Sequence, residues 1–240
     1  MNWTKAPYIH LLVVSGNIGV GKSTLLESLP REKHAKFDVE VIPEALFDFT
    51  NYGNFNPLAL MYENPEENFG FFQLHVIRSM NKHFRRYIGH LKLKYRGEAA
   101  PSKQRPLFIV TDRSLFAPIV FIENARCKGT ISPFVASFLS SECWYHATES
   151  YSRANVYVRG VFFLDPPLEQ TKLRISSRGR LYEKDLDDIF LNDLRTHYIR
   201  HLEWWKLNSA VIVRTSVGST RESAVSALIS LIEEILAKED

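Results

Sequence analysis

The sequence is poor in cysteine, with only Cys127 and Cys143, and these two belong to no CxxC motif or Cys/His cluster. Disulfide frameworks and structural zinc modules both need several such ligands at short spacing. The sequence therefore excludes these two classes of small scaffold and favours a reducing compartment.

Long apolar runs are also lacking, because no stretch approaches the roughly 20 residues that a membrane helix needs. The first residues, Met1 to Pro7, have no apolar core of the kind that signal peptides carry. We therefore expect a cytoplasmic protein that has no membrane partner.

The excess of positive charge is small, since the formal net charge is only +3. Such an excess suits an anionic ligand but is too weak by itself to indicate nucleic-acid binding. Hydrophobic residues make up 45% and charged residues 24% of the 240 positions, which is typical of a folded soluble protein. This length suits one α/β domain, so we expect a single domain spanning residues 1–240.

Short apolar runs alternate with segments of helical periodicity along the chain. The predicted strands are Ile9 to Val14, Val39 to Ile42, Leu107 to Val110, Val161 to Leu164 and Ala210 to Val213. The predicted helices are one starting at Lys22, then Glu66 to His90, Phe134 to Ser150, Pro167 to Ser176, Lys184 to Lys206 and Arg221 to Ala237. This alternation predicts an α/β fold with a five-stranded parallel sheet, helices on both faces, and ligands at the carboxyl ends of the strands.

A basic segment at residues 95–106 interrupts this pattern and is predicted to be an exposed loop. Together with the end of the preceding helix it carries Arg85, Arg86, Lys92, Lys94, Arg96, Lys103 and Arg105. A run of like charges is usually a solvated surface, which is the preferred interpretation, and a nucleic-acid patch is the alternative. No nucleic-acid partner is therefore expected.

The clearest motif is GxxxxGK[ST] at Gly16 to Ser23, between a predicted strand and a predicted helix. Its glycines allow the backbone N–H groups to converge on phosphate oxygens at the start of the helix. Lys22 is expected to contact the β- and γ-phosphates of ATP, and the Ser23 hydroxyl to contact Mg²⁺. The predicted nucleotide-binding set is Gly16, Asn17, Ile18, Gly19, Val20, Gly21, Lys22, Ser23 and Thr24.

Other features narrow the class of P-loop protein to a small-molecule kinase. The chain has no NKxD-type guanine reader after the fourth predicted strand, and no apolar strand that ends in Asp-Glu as in many ATPase motors. Glu44 follows the second strand, where it is a candidate proton acceptor. Asp112 and Arg113 follow the third strand, although Asp112 is also a plausible helix N-cap.

These motifs together resemble the deoxynucleoside kinase family, which includes the insect multisubstrate enzyme, mitochondrial thymidine kinase, deoxycytidine kinase and deoxyguanosine kinase. The shared stretches are Gly16-Asn17-Ile18-Gly19, Leu60-Met61-Tyr62, Asp112-Arg113-Ser114 and the arginines 174, 178 and 180. The resemblance runs from the P-loop to Trp204-Trp205. It implies a P-loop kinase fold with an arginine-bearing lid near residues 174–184, a homodimer, and ATP-dependent phosphorylation of a deoxynucleoside 5′-hydroxyl.

The resemblance also implies a role for each site residue. Glu44 would be the general base, while Arg113 and Lys22 would stabilise the transferred phosphoryl group. Asp112 would share Mg²⁺ with Ser23, although many family members have glutamate where this chain has Asp112. Arg174, Arg178 and Arg180 would bind ATP, Tyr62 and Glu183 would bind the sugar 3′-hydroxyl, and Gln73 would read the base.

The remaining predicted substrate residues are Phe49, Val76, Met80, Phe84 and Pro118, whose alternative interpretation is ordinary core packing. The positions of Met80 and Pro118 are charged in the deoxycytidine kinase type, so their apolar side chains here favour thymidine, with deoxycytidine as a second substrate. Two other functions stay open. One is a thymidylate-type monophosphate kinase, which would need an extra cation for the acceptor phosphate, and the other is a non-catalytic structural relative.

Overall fold

A computed structural model describes residues 8–29, 36–96, 100–180, 183, 186–207, 211–218 and 220–238. The strands are β1 (Ile9–Gly16), β2 (Asp38–Ile42), β3 (Leu107–Asp112), β4 (Tyr157–Leu164) and β5 (Ile212–Ser216). The helices of the described residues are α1 (Lys22–Glu27), α2 (Leu46–Thr50), α3 (Pro57–Glu63), α4 (Pro65–Lys94), α5 (Pro118–Cys127), α6 (Pro133–Ala154), α7 (Leu168–Arg178), α8 (Asp188–Lys206) and α9 (Arg221–Ala237). Within these ranges, no helix has both the length and the apolar character that a membrane span requires.

The five strands form one sheet in the order β2-β3-β1-β4-β5, and every neighbouring pair is parallel. The predicted five-stranded parallel sheet is therefore confirmed. At the carboxyl edge, Val14 of β1 pairs with Asp112 of β3, and Gly16 pairs with Leu164 of β4. The glycine-rich loop after β1 consequently starts at the centre of the sheet, beside the end of β3.

Both faces of the sheet are buried, which explains why β1 reads as a nearly continuous apolar run. Leu11 and Val13 pack into the larger core, to which α4, α6 and α8 contribute. Leu12 and Val14 point to the opposite face and pack with apolar residues of α1 and α9. This arrangement confirms helices on both faces of the sheet.

Some predicted boundaries are wrong. The fifth strand is Ile212–Ser216, whereas we predict Ala210 to Val213, and Ala210 lies outside the described residues. This strand lies at the edge of the sheet and is only partly buried, so it can end in the polar residues Arg214, Thr215 and Ser216. These polar residues do not continue the apolar run from which the strand was predicted. The eighth helix begins at Asp188, where the Asp187 carboxylate accepts a 2.6 Å hydrogen bond from the backbone N–H of Phe190.

The basic segment at residues 95–106 is partly neutralised by acidic residues of β2. Arg105 donates two hydrogen bonds to the Asp38 carboxylate, at 2.9 and 2.7 Å. Lys94 and the Tyr95 hydroxyl both contact Glu40, at 2.5 and 2.7 Å. Residues 97–99 of the segment lie outside the described residues. These ion pairs reduce the positive charge that the segment presents to a partner.

Candidate active site

A cavity of about 990 Å³ opens at the carboxyl edge of the sheet. This volume is at the upper end of the range for small-molecule sites. Its walls include the predicted residues Ile18, Gly19, Val20, Gly21, Lys22, Ser23, Thr24, Glu44, Phe49, Tyr62, Gln73, Val76, Met80, Arg113, Pro118, Arg174, Arg178, Arg180 and Glu183. The predicted site residues Gly16, Asn17, Phe84 and Asp112 are not part of this wall.

The glycine-rich loop has the backbone conformation that its sequence predicts. Gly19 and Gly21 have φ angles of +74° and +98°, in the left-handed region that favours glycine. A Cβ atom on Gly19 would lie 2.5 Å from Cγ1 of Ile175 in α7, so this position has no room for a side chain. On the other side, the Asn17 amide donates a 2.8 Å hydrogen bond to the Leu191 carbonyl of α8. The loop is therefore fixed between two helices.

Lys22 is a buried cation at the start of α1. Its Nζ atom donates a 2.8 Å hydrogen bond to the Asn17 carbonyl. Burial, and then repulsion from Arg113, lower the pKa of Lys22 to about 8. A phosphate beside this ammonium group would raise the pKa of Lys22 again and stabilise its charged form. The site therefore favours the binding of an anion.

Ser23 and Asp112 bring two hard oxygen ligands together. The Ser23 hydroxyl donates a 2.9 Å hydrogen bond to Oδ2 of Asp112. The other oxygen, Oδ1, is buried and has no hydrogen-bond partner among the described residues. Burial raises the pKa of Asp112, and a nearby cation would lower it again. Mg²⁺ fits such a site, because it prefers oxygen ligands and commonly uses one or two carboxylates together with phosphates and water.

Arg113 links Glu44 to the start of the glycine-rich loop. Arg113 has a φ angle of +69°, which is unusual for a residue with a side chain, and its backbone N–H donates to the Val14 carbonyl at 2.9 Å. Its side chain then donates from Nε to Glu44 at 3.2 Å and from Nη1 to the Gly16 carbonyl at 3.1 Å. Burial alone would raise the pKa of Glu44, but Arg113 and Lys22 outweigh it and the net direction is downward.

The arginines near the predicted lid fall into two groups. Arg174 donates from Nη1 to the Val20 carbonyl of the glycine-rich loop at 2.6 Å. Arg178 and Arg180 instead both donate to the carboxylate of Glu183, the latter at 3.1 Å. Glu183 is only 5% exposed, so it is a buried anchor for two cations that border the cavity.

A sequence model described as "Deoxynucleoside kinase" matches residues 12–237. The chain belongs to the deoxynucleoside kinase family. It is also similar to a protein of Frog virus 3 (isolate Goorha) named "Putative deoxynucleoside kinase", with 26% identity over 228 residues. That match covers 95% of this chain and 96% of the viral protein. The resemblance stated from the sequence is thus confirmed, and the parallel sheet with its surrounding helices is the P-loop kinase fold of this family.

One wall of the cavity is formed by a face of α4. Gln73, Val76 and Met80 lie on this face and line the cavity. Gln73 is 3% exposed, and its Oε1 atom has no hydrogen-bond partner among the described residues. Phe84 lies one turn beyond Met80, but it is in the core, edge-on to Tyr151 at 5.3 Å between ring centroids. The structure therefore does not bring Phe84 to the cavity.

Several cavity residues of this deoxynucleoside kinase were missed by sequence reasoning. They are Phe69 and Phe72 of α4, Phe121, Asn124 and Lys128 around α5, and Ser216, Gly218, Thr220 and Arg221 between β5 and α9. The spacing of Pro118, Phe121 and Asn124 is a helical signal that could have extended the prediction along α5. Nothing comparable in the sequence marks the β5–α9 residues, because they approach the cavity through the loop after an edge strand.

Proposed function

We propose that the protein transfers the γ-phosphate of ATP to the 5′-hydroxyl of a deoxynucleoside, with thymidine as its main substrate and deoxycytidine as a second. The observation that carries this proposal is the contact between Arg113 and Glu44, 3.2 Å apart, beside the buried Lys22. A carboxylate and two cations thereby lie together on the cavity wall, beside the glycine-rich loop.

Each group has a role in such a transfer. The loop N–H groups and Lys22 would bind the ATP phosphates. Glu44 would accept the 5′-hydroxyl proton as the new oxygen–phosphorus bond forms and the bond from the γ-phosphorus to ADP breaks. Arg113 would stabilise the charge on the transferred group. Ser23 and Asp112 would hold Mg²⁺, which when bound neutralises charge on the β- and γ-phosphate oxygens. Arg178 and Arg180 would bind the phosphates from the lid.

Turnover with a panel of acceptors tests this proposal. Thymidine, deoxycytidine, deoxyadenosine and thymidylate would each be mixed with ATP and Mg²⁺, and product formation measured. We expect thymidine and then deoxycytidine to be phosphorylated. Phosphorylation of thymidylate alone would contradict the proposal. Among the described residues, two further cations line the cavity, and both already have partners: Lys128 is paired with Asp193 at 3.2 Å, and Arg221 donates to the Ser28 hydroxyl.

Base recognition is assigned to the amide of Gln73, which has one donor end and one acceptor end, like the edge of a pyrimidine. We predict that Gln73→Ala raises KM for thymidine about 10- to 100-fold, because a lost hydrogen bond leaves a buried polar group unpaired at a cost of about 1–3 kcal/mol. KM for ATP should change less than about three-fold. Steady-state kinetics with each substrate varied in turn measures this, and equal increases in both KM values would show that Gln73 has a structural role.

We also propose that residues 1–240 act as one cytoplasmic kinase domain with a lid near residues 174–184, and that two such chains form a homodimer. The support for a dimer is the solvent face of α6. Its exposed positions from Pro133 to Ser152, ahead of the exposed Arg153, carry no charged residue and include Phe134, Phe138 and Tyr145, which are 80%, 49% and 61% exposed. A long uncharged helix face with exposed aromatic rings is typical of a protein interface.

The dimer proposal predicts that the double variant Phe138→Glu/Tyr145→Glu is monomeric. Two carboxylates at the centre of the interface would lose their hydration and repel their symmetry-related copies. Light scattering coupled to size-exclusion chromatography measures the mass. Leu207→Glu is the matched control, because it changes an 85% exposed residue beyond the end of α8. A monomeric wild-type protein, or an unchanged dimer in the double variant, would exclude this interface.

A further inference from the structure

The buried tyrosine Tyr198 lies directly against Arg113. It is on α8 and only 1% exposed, and its hydroxyl accepts a hydrogen bond from Nη1 of Arg113. The Tyr198 ring centroid is also 5.7 Å from Cζ of Arg113. The ring of Phe121 is at a similar distance, 5.4 Å, and meets the Tyr198 ring nearly edge-on. The guanidinium group is therefore held by a hydroxyl and by two aromatic rings.

Two of the three guanidinium nitrogens of Arg113 are used by contacts within the part of the chain that the structure describes, and the third is not. Nε is used by Glu44, and Nη1 is used by the Gly16 carbonyl and Tyr198. Among the described residues, Nη2 has no hydrogen-bond partner, and Arg113 lines the cavity. Because guanidinium is planar, fixing Nε and Nη1 also fixes the direction of Nη2.

A phenol is well suited to hold this arginine. It accepts a hydrogen bond without a negative charge, so it leaves the positive charge of Arg113 available for an incoming anion. Burial of the Tyr198 side chain excludes water that would compete for the same nitrogen. The same helix also fixes the glycine-rich loop, through the bond from Asn17 to the Leu191 carbonyl. One helix thus sets the position of the phosphate loop and of the arginine that faces it.

We propose that Tyr198 is a positioning residue for phosphoryl transfer, which orients Arg113 so that Nη2 meets the transferred group. This inference rests on the function proposed above. Tyr198 acts through Arg113 and does not touch either substrate, so its loss affects the rate of the chemical step and leaves substrate affinity nearly unchanged.

The variant Tyr198→Phe tests this inference because it removes the hydroxyl and keeps the ring. We expect kcat to fall about 10-fold, since small misplacements of a catalytic group have effects of this order or larger. KM for thymidine and for ATP should stay within about two-fold. Tyr95→Phe is the control, because it removes a tyrosine hydrogen bond to Glu40 that is remote from the cavity, and it should keep the wild-type kcat.

A double-mutant cycle decides whether the effect passes through Arg113. Once Arg113 is replaced by lysine, Tyr198→Phe should cause no further loss of kcat, because the group that it orients is gone. An equal loss in both backgrounds, or a Tyr198→Phe enzyme with the wild-type kcat, would overturn the inference.

A structural measurement separates this inference from the proposed function. In nitrogen-resolved NMR, we expect the guanidinium of Arg113 to exchange its N–H protons faster in Tyr198→Phe than in the wild type. Unchanged exchange would overturn the positioning role whatever the activity. A wild-type protein that phosphorylates no nucleoside, but whose Arg113 is released in the variant, would instead contradict only the proposed function.

Discussion

Lys22→Ala is expected to lower kcat by about three orders of magnitude, because in the proposed mechanism it removes a charge that stabilises the transferred phosphoryl group. The activity should fall without a loss of stability. Since burial lowers the pKa of Lys22 to about 8, the charged form is disfavoured in the folded protein at neutral pH, and its removal relieves that cost. We therefore expect the melting temperature of Lys22→Ala to equal or exceed that of the wild type.

Steady-state turnover of thymidine and a thermal melt measure the two halves of this prediction. Lys206→Ala is the matched control, since it removes a positive charge from an exposed lysine that is paired with Glu203 at 2.7 Å. That control should keep kcat within about two-fold. A folded Lys22→Ala protein with a kcat near the wild-type value would mean that the glycine-rich loop does not hold the reacting phosphate.

Glu44→Gln is expected to lower kcat by about 10²- to 10³-fold, while ATP affinity changes little. The amide keeps the size of the side chain and still offers an oxygen to Arg113, but it cannot accept the proton that the proposed mechanism transfers to Glu44. The non-catalytic alternative predicts no turnover to lose, so measurable wild-type activity that disappears in this variant excludes it. Full activity in Glu44→Gln would remove Glu44 from the mechanism.

The pH dependence provides a second measurement on Glu44. The proposed mechanism requires Glu44 in its carboxylate form. Burial raises the pKa of Glu44, but Arg113 and Lys22 together outweigh burial, so that the net direction is downward. Activity should therefore be retained above the ordinary titration range of a glutamate and fall only as the pH drops below it. The acid limb should be absent from the residual activity of Glu44→Gln, which no longer carries the titrating group.

The sheet and its ligand edge could be predicted from the sequence because parallel strands buried on both faces give apolar runs that stop at polar residues. The ends of β1 and β3, with the glycine-rich loop and Asp112-Arg113, are examples. Burial on a helix is harder to interpret. Met80 and Phe84 lie one turn apart on α4 and are 8% and 2% exposed, yet only Met80 lines the cavity. Periodicity identifies the buried face of a helix, but not whether it packs against side chains or borders a cavity.

The partners of individual long side chains could not be predicted from the sequence. Tyr198 is 85 residues from Arg113, and an apolar-looking tyrosine in the middle of α8 is equally consistent with a core role. The pairing of both Arg178 and Arg180 with Glu183 could not be predicted either. The sequence shows three nearby arginines, but it does not show which acceptor each of them contacts. In both cases the decisive information is the direction of a long polar side chain, which the tertiary packing sets.

The close fit between Gly19 and Ile175 has a mechanical consequence. Together with the bond from Arg174 to the Val20 carbonyl, it fastens the first two turns of α7 to the glycine-rich loop. A swing that carries Arg178 and Arg180 away from Glu183 must therefore pivot beyond Ile175, in the exposed last turn of the helix. Arg174 would then stay in contact with the glycine-rich loop throughout each catalytic cycle, while Arg178 and Arg180 move. This short segment would thus combine one fixed arginine with two mobile ones.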